Sequence, residues 1–298
     1  VTGGWHEAPV PQISYQLPAG GFAYLADAIK RAVNVPVIAC NRINNIDTME
    51  AILKNGMADF VGTARGFLAD PEFSRKVLEG VPYNRCQGCN KCIEAVLKGK
   101  SVVCAYNPEA GREVEEKTHR RVISAKKVIV AGAGPAGLEA AKKSAERGYK
   151  TILCTKDDKL GGLLNTAAIP PEKQDLRCFI ENKKYELEQL GVDIRLNTEV
   201  TGALIHEIQP YFVVDATGGD VVIPPIKGID KDNVYTAEQV LNASPELLAK
   251  VKKGSVVVIG GGSVGIETAK YIAESRFSTK ESIPFNSLFV GKDIPAVD

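Results

Sequence analysis

Lys127-Val-Ile-Val-Ala131-Gly132-Ala-Gly134-Pro-Ala136-Gly137 sets a short apolar run directly against three glycines. Such a run bounded by glycine predicts a buried strand, and the spacing from Ala136 to Arg147 predicts the helix that follows. Tyr149 to Thr155 then predicts a second strand, which completes a βαβ unit. A lone G-x-G-x-x-G says little, and a glycine turn without a ligand is the plainer reading of one. Between a strand and a helix it is a dinucleotide-binding fingerprint. Gly132 then makes the tight turn, Gly134 lets a pyrophosphate approach the backbone, and Gly137 lets helix pack on strand. The pyrophosphate sits on the helix N-terminus around Ala136.

The pattern recurs downstream. Ser255-Val-Val-Val-Ile259 predicts a strand, Gly260-Gly-Gly262-Ser-Val-Gly265 repeats the turn, and a helix follows from Ile266 to about Glu274. Between the two motifs, Asp175 to Leu190 reads as an amphipathic helix and Val192 to Leu196 as a strand. Ser275 to Asp298, with Pro284 and Pro295, reads as irregular, and charged residues from Arg112 to Arg121 read as a solvated linker. Cys154 and Cys178 read as core thiols, His119 and His206 as surface residues.

Upstream, helix and strand alternate. Phe22 to Ala32 has helical apolar spacing, Val35 to Cys40 is a short strand, and Asp47 caps a helix that runs to Asn55-Gly56. Ala58 to Thr63 is the next strand and Pro71 to Leu78 the next helix. Such alternation predicts a parallel sheet with its chemistry at the strand C-terminal ends. Arg42 and Arg65 stand at two of those ends, placed to grip a phosphate. The plainer alternative is a pair of solvated surface arginines.

Between these regions lie Cys86-Gln-Gly-Cys89-Asn-Lys-Cys92 and, eleven residues later, Cys104. Three cysteines at this spacing curl a loop so that their sulfurs converge, and a fourth arrives past the turn at Gly99. Four crowded thiolates suit a 4Fe–4S cluster. Structural zinc is the rival, though it usually takes two separated C-x-x-C knuckles, and free thiols remain a third reading. Disulfides belong to small secreted chains.

The chain has 298 residues, 44% hydrophobic and 24% charged, with a net charge of +1. That suffices for about two domains with real cores. It gives no reason to expect a nucleic-acid or membrane partner. Seven cysteines, an odd number with four clustered, fit a reducing, cytoplasmic setting. No run of 18 apolar residues appears, and Val1-Thr-Gly-Gly-Trp5 lacks the features of a signal peptide and an initiator Met. That start reads as the interior of a larger protein.

Trp5-His6-Glu7-Ala8, Asn41-Arg42-Ile43-Asn44 and Ala64-Arg65-Gly66-Phe67-Leu68-Ala69-Asp70-Pro71 resemble the end of the FMN barrel of 2,4-dienoyl-CoA reductase. That enzyme belongs to the iron–sulfur branch of the Old Yellow Enzyme family. The resemblance continues through the cysteines and both glycine motifs. It implies that Arg42 and Arg65, with Ala64 beside them, hold the FMN phosphate, and that His6 joins a proton relay at the substrate. Read alone, a His beside Trp is more often a packed structural residue. Leu160-Gly161-Gly162-Leu163 and Asp215-Ala216-Thr217-Gly218 resemble FAD fingerprints of the pyridine-nucleotide disulfide reductase type, so Gly161, Gly162, Thr217 and Gly218 would face FAD. Gly260, Gly262 and Gly265 would hold NAD(P)H, with Glu267 near the nicotinamide.

There are two departures. The gap between Cys89 and Cys92 is one residue shorter than in the close bacterial dienoyl-CoA reductases and nearer that of trimethylamine dehydrogenase. Thr155 stands where the family usually has an acid for the ribose, a role left to Asp157 or Asp158.

The expected architecture is α/β. It comprises the C-terminal part of a (β/α)8 FMN barrel over residues 1–82, a 4Fe–4S segment over 83–112, a Rossmann-like FAD domain over 113–235 and a truncated NAD(P)H domain over 236–298. A complete barrel needs about 250 residues, so the chain reads as part of a longer protein. The implied activity is an ene-reductase passing electrons from NAD(P)H through FAD and the cluster to FMN, then to an activated C=C bond. Enoyl- or dienoyl-thioesters, enoates and steroid enones are the substrates implied. An amine dehydrogenase or demethylase, and a non-catalytic electron-transfer module, are the alternatives. The partner expected is a small unsaturated molecule, with homo-oligomerisation of the complete protein left open.

Overall fold

Ala23 and Ala26, one helical turn apart, open the first helix among the described residues and turn its small face inward. The computed structural model describes residues 1–3, 14, 15, 17–117, 126–170 and 172–277. The chain divides into two units, one running to Gly111 and the other from Arg112 to Arg276. In the first, α1 (Ala23–Ala32) leads to β1 (Ile38–Ala39), α2 (Ile46–Lys54) and β2 (Phe60–Val61). The strands pair in parallel, Ile38 with Phe60 and Ala39 with Val61. They are shorter than the sequence predicts, since each has one ladder neighbour among the described residues. Ala23, Ala26, Val37, Ala39, Ile43, Ile52, Met57 and Ala58 form the core.

One expected cap moves. Asn45, not Asp47, caps α2, its Oδ1 accepting the Thr48 N–H at 2.8 Å, and Asp47 lies in the first turn where its charge meets the helix dipole. Three further helices follow: α3 (Ala64–Ala69), α4 (Phe73–Glu79) and α5 (Lys91–Leu97).

In the second unit the presumed linker is helical over α6 (Glu113–Lys117). Then come β3 (Lys127–Ala131), α7 (Pro135–Glu146), β4 (Lys150–Cys154), α8 (Leu164–Ala167), α9 (Leu176–Gln189), β5 (Asp193–Arg195), α10 (Gly202–Ile208) and β6 (Phe212–Asp215). The four strands are parallel in the order β5-β4-β3-β6, which is half of a doubly wound sheet. Strand order reverses beside β3, so the ligand crevice of such a sheet lies where Ala131 pairs with Asp215. Lys183, 1% exposed, ties α9 to α7 through Glu139 at 2.5 Å. α11 (Ala237–Leu241), α12 (Pro245–Lys253) and α13 (Ser263–Phe277) complete the unit, with Val240, Val251 and Ile272 packed together.

The strand expected over Ser255–Ile259 does not form. A strand exists through its neighbour's hydrogen bonds, and these residues join no ladder among those described; Val257 is 86% exposed. Cys154 is buried, Cys178 half-buried and His206 exposed; His119 and the segment after Phe277 lie outside the described residues. Among the described residues no helix is long and apolar enough to cross a membrane.

A buried carboxylate joins the barrel-like segment to the cysteines. Asp70, 3% exposed, accepts from Lys76 Nζ and from the Asn84 backbone N–H, each at 2.9 Å. Asn107 Nδ2 donates to the Leu68 carbonyl at 2.9 Å, and Tyr83 packs edge-on against Phe73. Asp70→Ala removes the carboxylate paired with the Lys76 ammonium and should destabilise the protein by about 3 kcal/mol. The apolar pair Asp70→Leu with Lys76→Met should recover only part of that loss, because the Asn84 and Glu72 N–H groups still lose their acceptor. Urea unfolding of the complete protein measures both.

Candidate functional site

β3 ends in a turn whose glycines differ in their surroundings. Gly132 has φ +100°, and a Cβ there would overlap the Ala216 carbonyl. A Cβ on Gly137 would overlap the Gly132 carbonyl oxygen as α7 crosses back over the turn. Gly134 is different: a Cβ there would meet no atom within 4 Å, and its backbone (φ −72°, ψ −178°) suits any residue. The chain gives no steric reason for glycine at Gly134. A ligand backed against the N-terminus of α7 does. Pro135 opens that helix, where its missing N–H costs nothing, and Ala136 follows in the first turn.

The two flanking motifs meet this turn. The Gly161 N–H donates to the Ala133 carbonyl at 2.8 Å, and a Cβ on Gly162 would stand 3.1 Å from Gly134 Cα. From the other side, Asp215 Oδ1 accepts the Thr217 hydroxyl at 2.7 Å and its N–H at 3.1 Å, and these bonds hold the carboxyl below its ordinary range. Gly218, at φ +87°, carries the chain away. At the end of β4, the buried Thr155 hydroxyl accepts the Asp157 N–H at 3.3 Å, so no carboxylate stands at that position.

The second turn repeats the pattern only in part, since a Cβ on Gly260 would meet nothing within 4 Å and its need for glycine is the positive φ alone. Gly260 has φ +109°, a Cβ on Gly265 would overlap the Gly260 carbonyl, and a Cβ on Gly262 would meet nothing within 4 Å. Glu267 pairs with Lys173 Nζ at 2.6 Å, and three residues on Lys270 pairs with Glu172 at 2.5 Å. Two bridges of opposite polarity thus join α13 to the turn before α9.

In the first unit Cys86, Cys89, Cys92 and Cys104 all line one cavity, with Arg65, Leu68, Gln87, Asn90, Ala105 and Tyr106. None is in a disulfide. Among the described residues no three His, Cys, Asp or Glu side chains converge as the ligands of a single metal ion do. Burial pushes the Cys86 thiol above its ordinary range, opposed by the Gly88 N–H and the Arg65 charge. Burial likewise raises Cys104, opposed by the N–H groups of Tyr106 and Asn107. Asn44 Nδ2 secures the Cys86 carbonyl at 2.8 Å.

Both candidate phosphate arginines lie along this loop. Arg65 Nη1 donates to Asn90 Oδ1 at 2.6 Å, and Arg42, 9% exposed, donates to the Leu17 carbonyl with its Nε beside Gly88. Ala64 is exposed at the start of α3. His6 lies outside the described residues. Gln87, Asn90 and Tyr106 were not singled out from the sequence; polar residues interleaved with the cysteines were the available signal.

The second unit carries a parallel half-sheet whose glycine turn leaves Gly134 without a protein neighbour, and the first carries the clustered thiols; both are features of nucleotide- and flavin-dependent oxidoreductases. Residues 126–278 match the pyridine nucleotide-disulphide oxidoreductase family, and residues 15–84 match the NADH:flavin oxidoreductase / NADH oxidase family. The chain belongs to the Old Yellow Enzyme/2,4-dienoyl-CoA reductase type of flavoenzyme. It is 42% identical to a metal reductase of Desulforamulus reducens, over 96% of this chain and 43% of that protein. It is 40% identical to an NADH oxidase of Thermoanaerobacter brockii, over 86% of this chain and 40% of that protein. A solved 2-naphthoyl-CoA reductase in complex with 2-naphthoyl-CoA is 32% identical with a TM-score of 0.79, over 91% of this chain and 41% of that one. The chain thus spans less than half the length of these relatives.

Gly134→Ala separates ligand from fold. The complete protein should keep its far-ultraviolet circular dichroism but lose at least tenfold in affinity for the nucleotide at the first turn, read as flavin released per chain. Gly137→Ala should perturb the fold itself.

Proposed function

We propose that this chain carries the electron-transfer part of an NAD(P)H-dependent flavoenzyme that reduces activated C=C bonds. The observation that carries the reading is the cavity lined by all four cysteines. A single zinc ion draws four sulfurs to about 2.3 Å from one point. A 4Fe–4S cluster is held by four cysteine thiolates, and it is the cysteine spacing, with all four lining one cavity, that supports this reading. The N–H groups of Gly88, Tyr106 and Asn107 directed at Cys86 and Cys104 are the kind of contact that tunes such centres. By the chemistry of the donor set, four thiols on one cavity, Cys86, Cys89, Cys92 and Cys104 would be its ligands.

Gly134, with Gly161, Gly162, Thr217 and Gly218 around it, would seat FAD. Gly262, with Gly260 and Gly265, would seat NAD(P)H, and Lys173 would hold Glu267 near the nicotinamide. Arg42 and Arg65 would offset the FMN phosphate charge. Together the bound groups supply a relay from hydride through single electrons to hydride at the substrate carbon. His6 would supply the matching proton. An activated C=C bond fits because hydride and proton add across it as one pair.

Amine oxidation is the second reading. The hydroxyl that replaces a carboxylate at Thr155, and the short Cys89–Cys92 gap, favour it. Supplied with NADH or NADPH under anaerobic conditions, the complete protein should oxidise the nicotinamide as it consumes an enoyl-thioester or a cinnamate-type enoate. Turnover of a secondary or tertiary amine, with no enoate or enone consumed, would replace this reading with the second.

A further inference from the structure

We infer that Arg65, held by Asn90, sets the reduction potential of the centre that the four cysteines bind. The inference rests on the cluster reading above. Arg65 leaves the end of β2 in the first turn of α3, yet its half-buried side chain lines the cysteine cavity. Its Nη1 donates to Asn90 Oδ1 at 2.6 Å. Asn90 sits between Cys89 and Cys92 in the left-handed region, at φ 58° and ψ 15°. Asn is one of the few side-chain-bearing residues that adopt this conformation at little cost. One residue thus turns the loop between two ligands and anchors the cation beside them.

The charge of a guanidinium is permanent, and a half-buried one is screened less than a surface one. Four thiolates give the centre net negative charge, and each electron added increases it. A fixed cation at the cavity wall therefore favours the reduced state and raises the potential. The same guanidinium is the one that family resemblance assigns to the flavin phosphate. A phosphate bound there offsets part of its charge, so flavin occupancy and the reducibility of the centre are coupled through Arg65.

The test is a redox titration of the complete protein, purified anaerobically, with the reduced centre followed by electron paramagnetic resonance. Iron, sulfide and FMN are quantified in every sample. At the unmodified protein's midpoint, Arg65→Met should lower the ratio of reduced to oxidised centre about tenfold, equivalent to ~59 mV for one electron. Arg65→Lys, which keeps the charge, should stay within about twofold of the unmodified ratio. Asn90→Gly tolerates the left-handed turn but removes the bond that anchors the guanidinium beside the cysteines, and should shift the ratio in the same direction as Arg65→Met. An unchanged ratio in Arg65→Met at full iron and sulfide content would overturn the inference. Where that variant loses iron, an unchanged ratio in Asn90→Gly overturns it instead. Absence of iron from the unmodified protein would sink the cluster reading and this inference with it.

Discussion

The Asp70 carboxylate is the constraint on which the cysteine site depends. It is buried, and it accepts from the Lys76 ammonium and from the Asn84 and Glu72 N–H groups. The Lys76 contact closes α4 onto the end of the βα segment, and the Asn84 contact fixes the chain just before Cys86. Buried charge is costly without complete pairing, so this geometry tolerates little movement. Asn107 binding the Leu68 carbonyl fixes the chain just after Cys104. Both ends of the cysteine segment are therefore anchored to one short stretch, Leu68 to Lys76. That rigidity suits redox chemistry, in which ligands should move little as an electron arrives.

The second unit solves a different problem. A parallel sheet that reverses order beside β3 opens a crevice at the strand ends, and three loops converge there: Gly132–Gly137, Leu160–Gly162 and Asp215–Gly218. In the first turn the outer glycines are required by the protein's own atoms and the middle one is not; in the second, Gly265 is required by the Gly260 carbonyl and Gly260 by its positive φ. Glu172, Lys173, Glu267 and Lys270 then join the helix of the second turn to the turn before α9. Acid and base alternate across that seam, which fixes its register.

Much of this was legible in the sequence. Apolar runs against glycine located β3, β4 and their turn, because strand period and turn chemistry are local properties. Cysteine spacing located the metal-binding candidates for the same reason. What could not be read is non-local. Asn45 displaced Asp47 as a cap because the choice depends on where the preceding backbone turns extended. Ser255–Ile259 has strand composition, yet β structure needs a partner, and composition is blind to whether one is adjacent. The hold of Asn90 on Arg65 spans 25 residues, and no periodicity announces it.

Fold and nucleotide turns would stand under several chemistries; the electron-transfer account stands on the cysteines alone. The most direct measurement is iron, zinc and acid-labile sulfide per chain in the complete protein after strictly anaerobic purification. The account predicts about four irons and four sulfides per chain, with negligible zinc. About one zinc per chain and no sulfide would make the cysteines a structural clamp and contradict it.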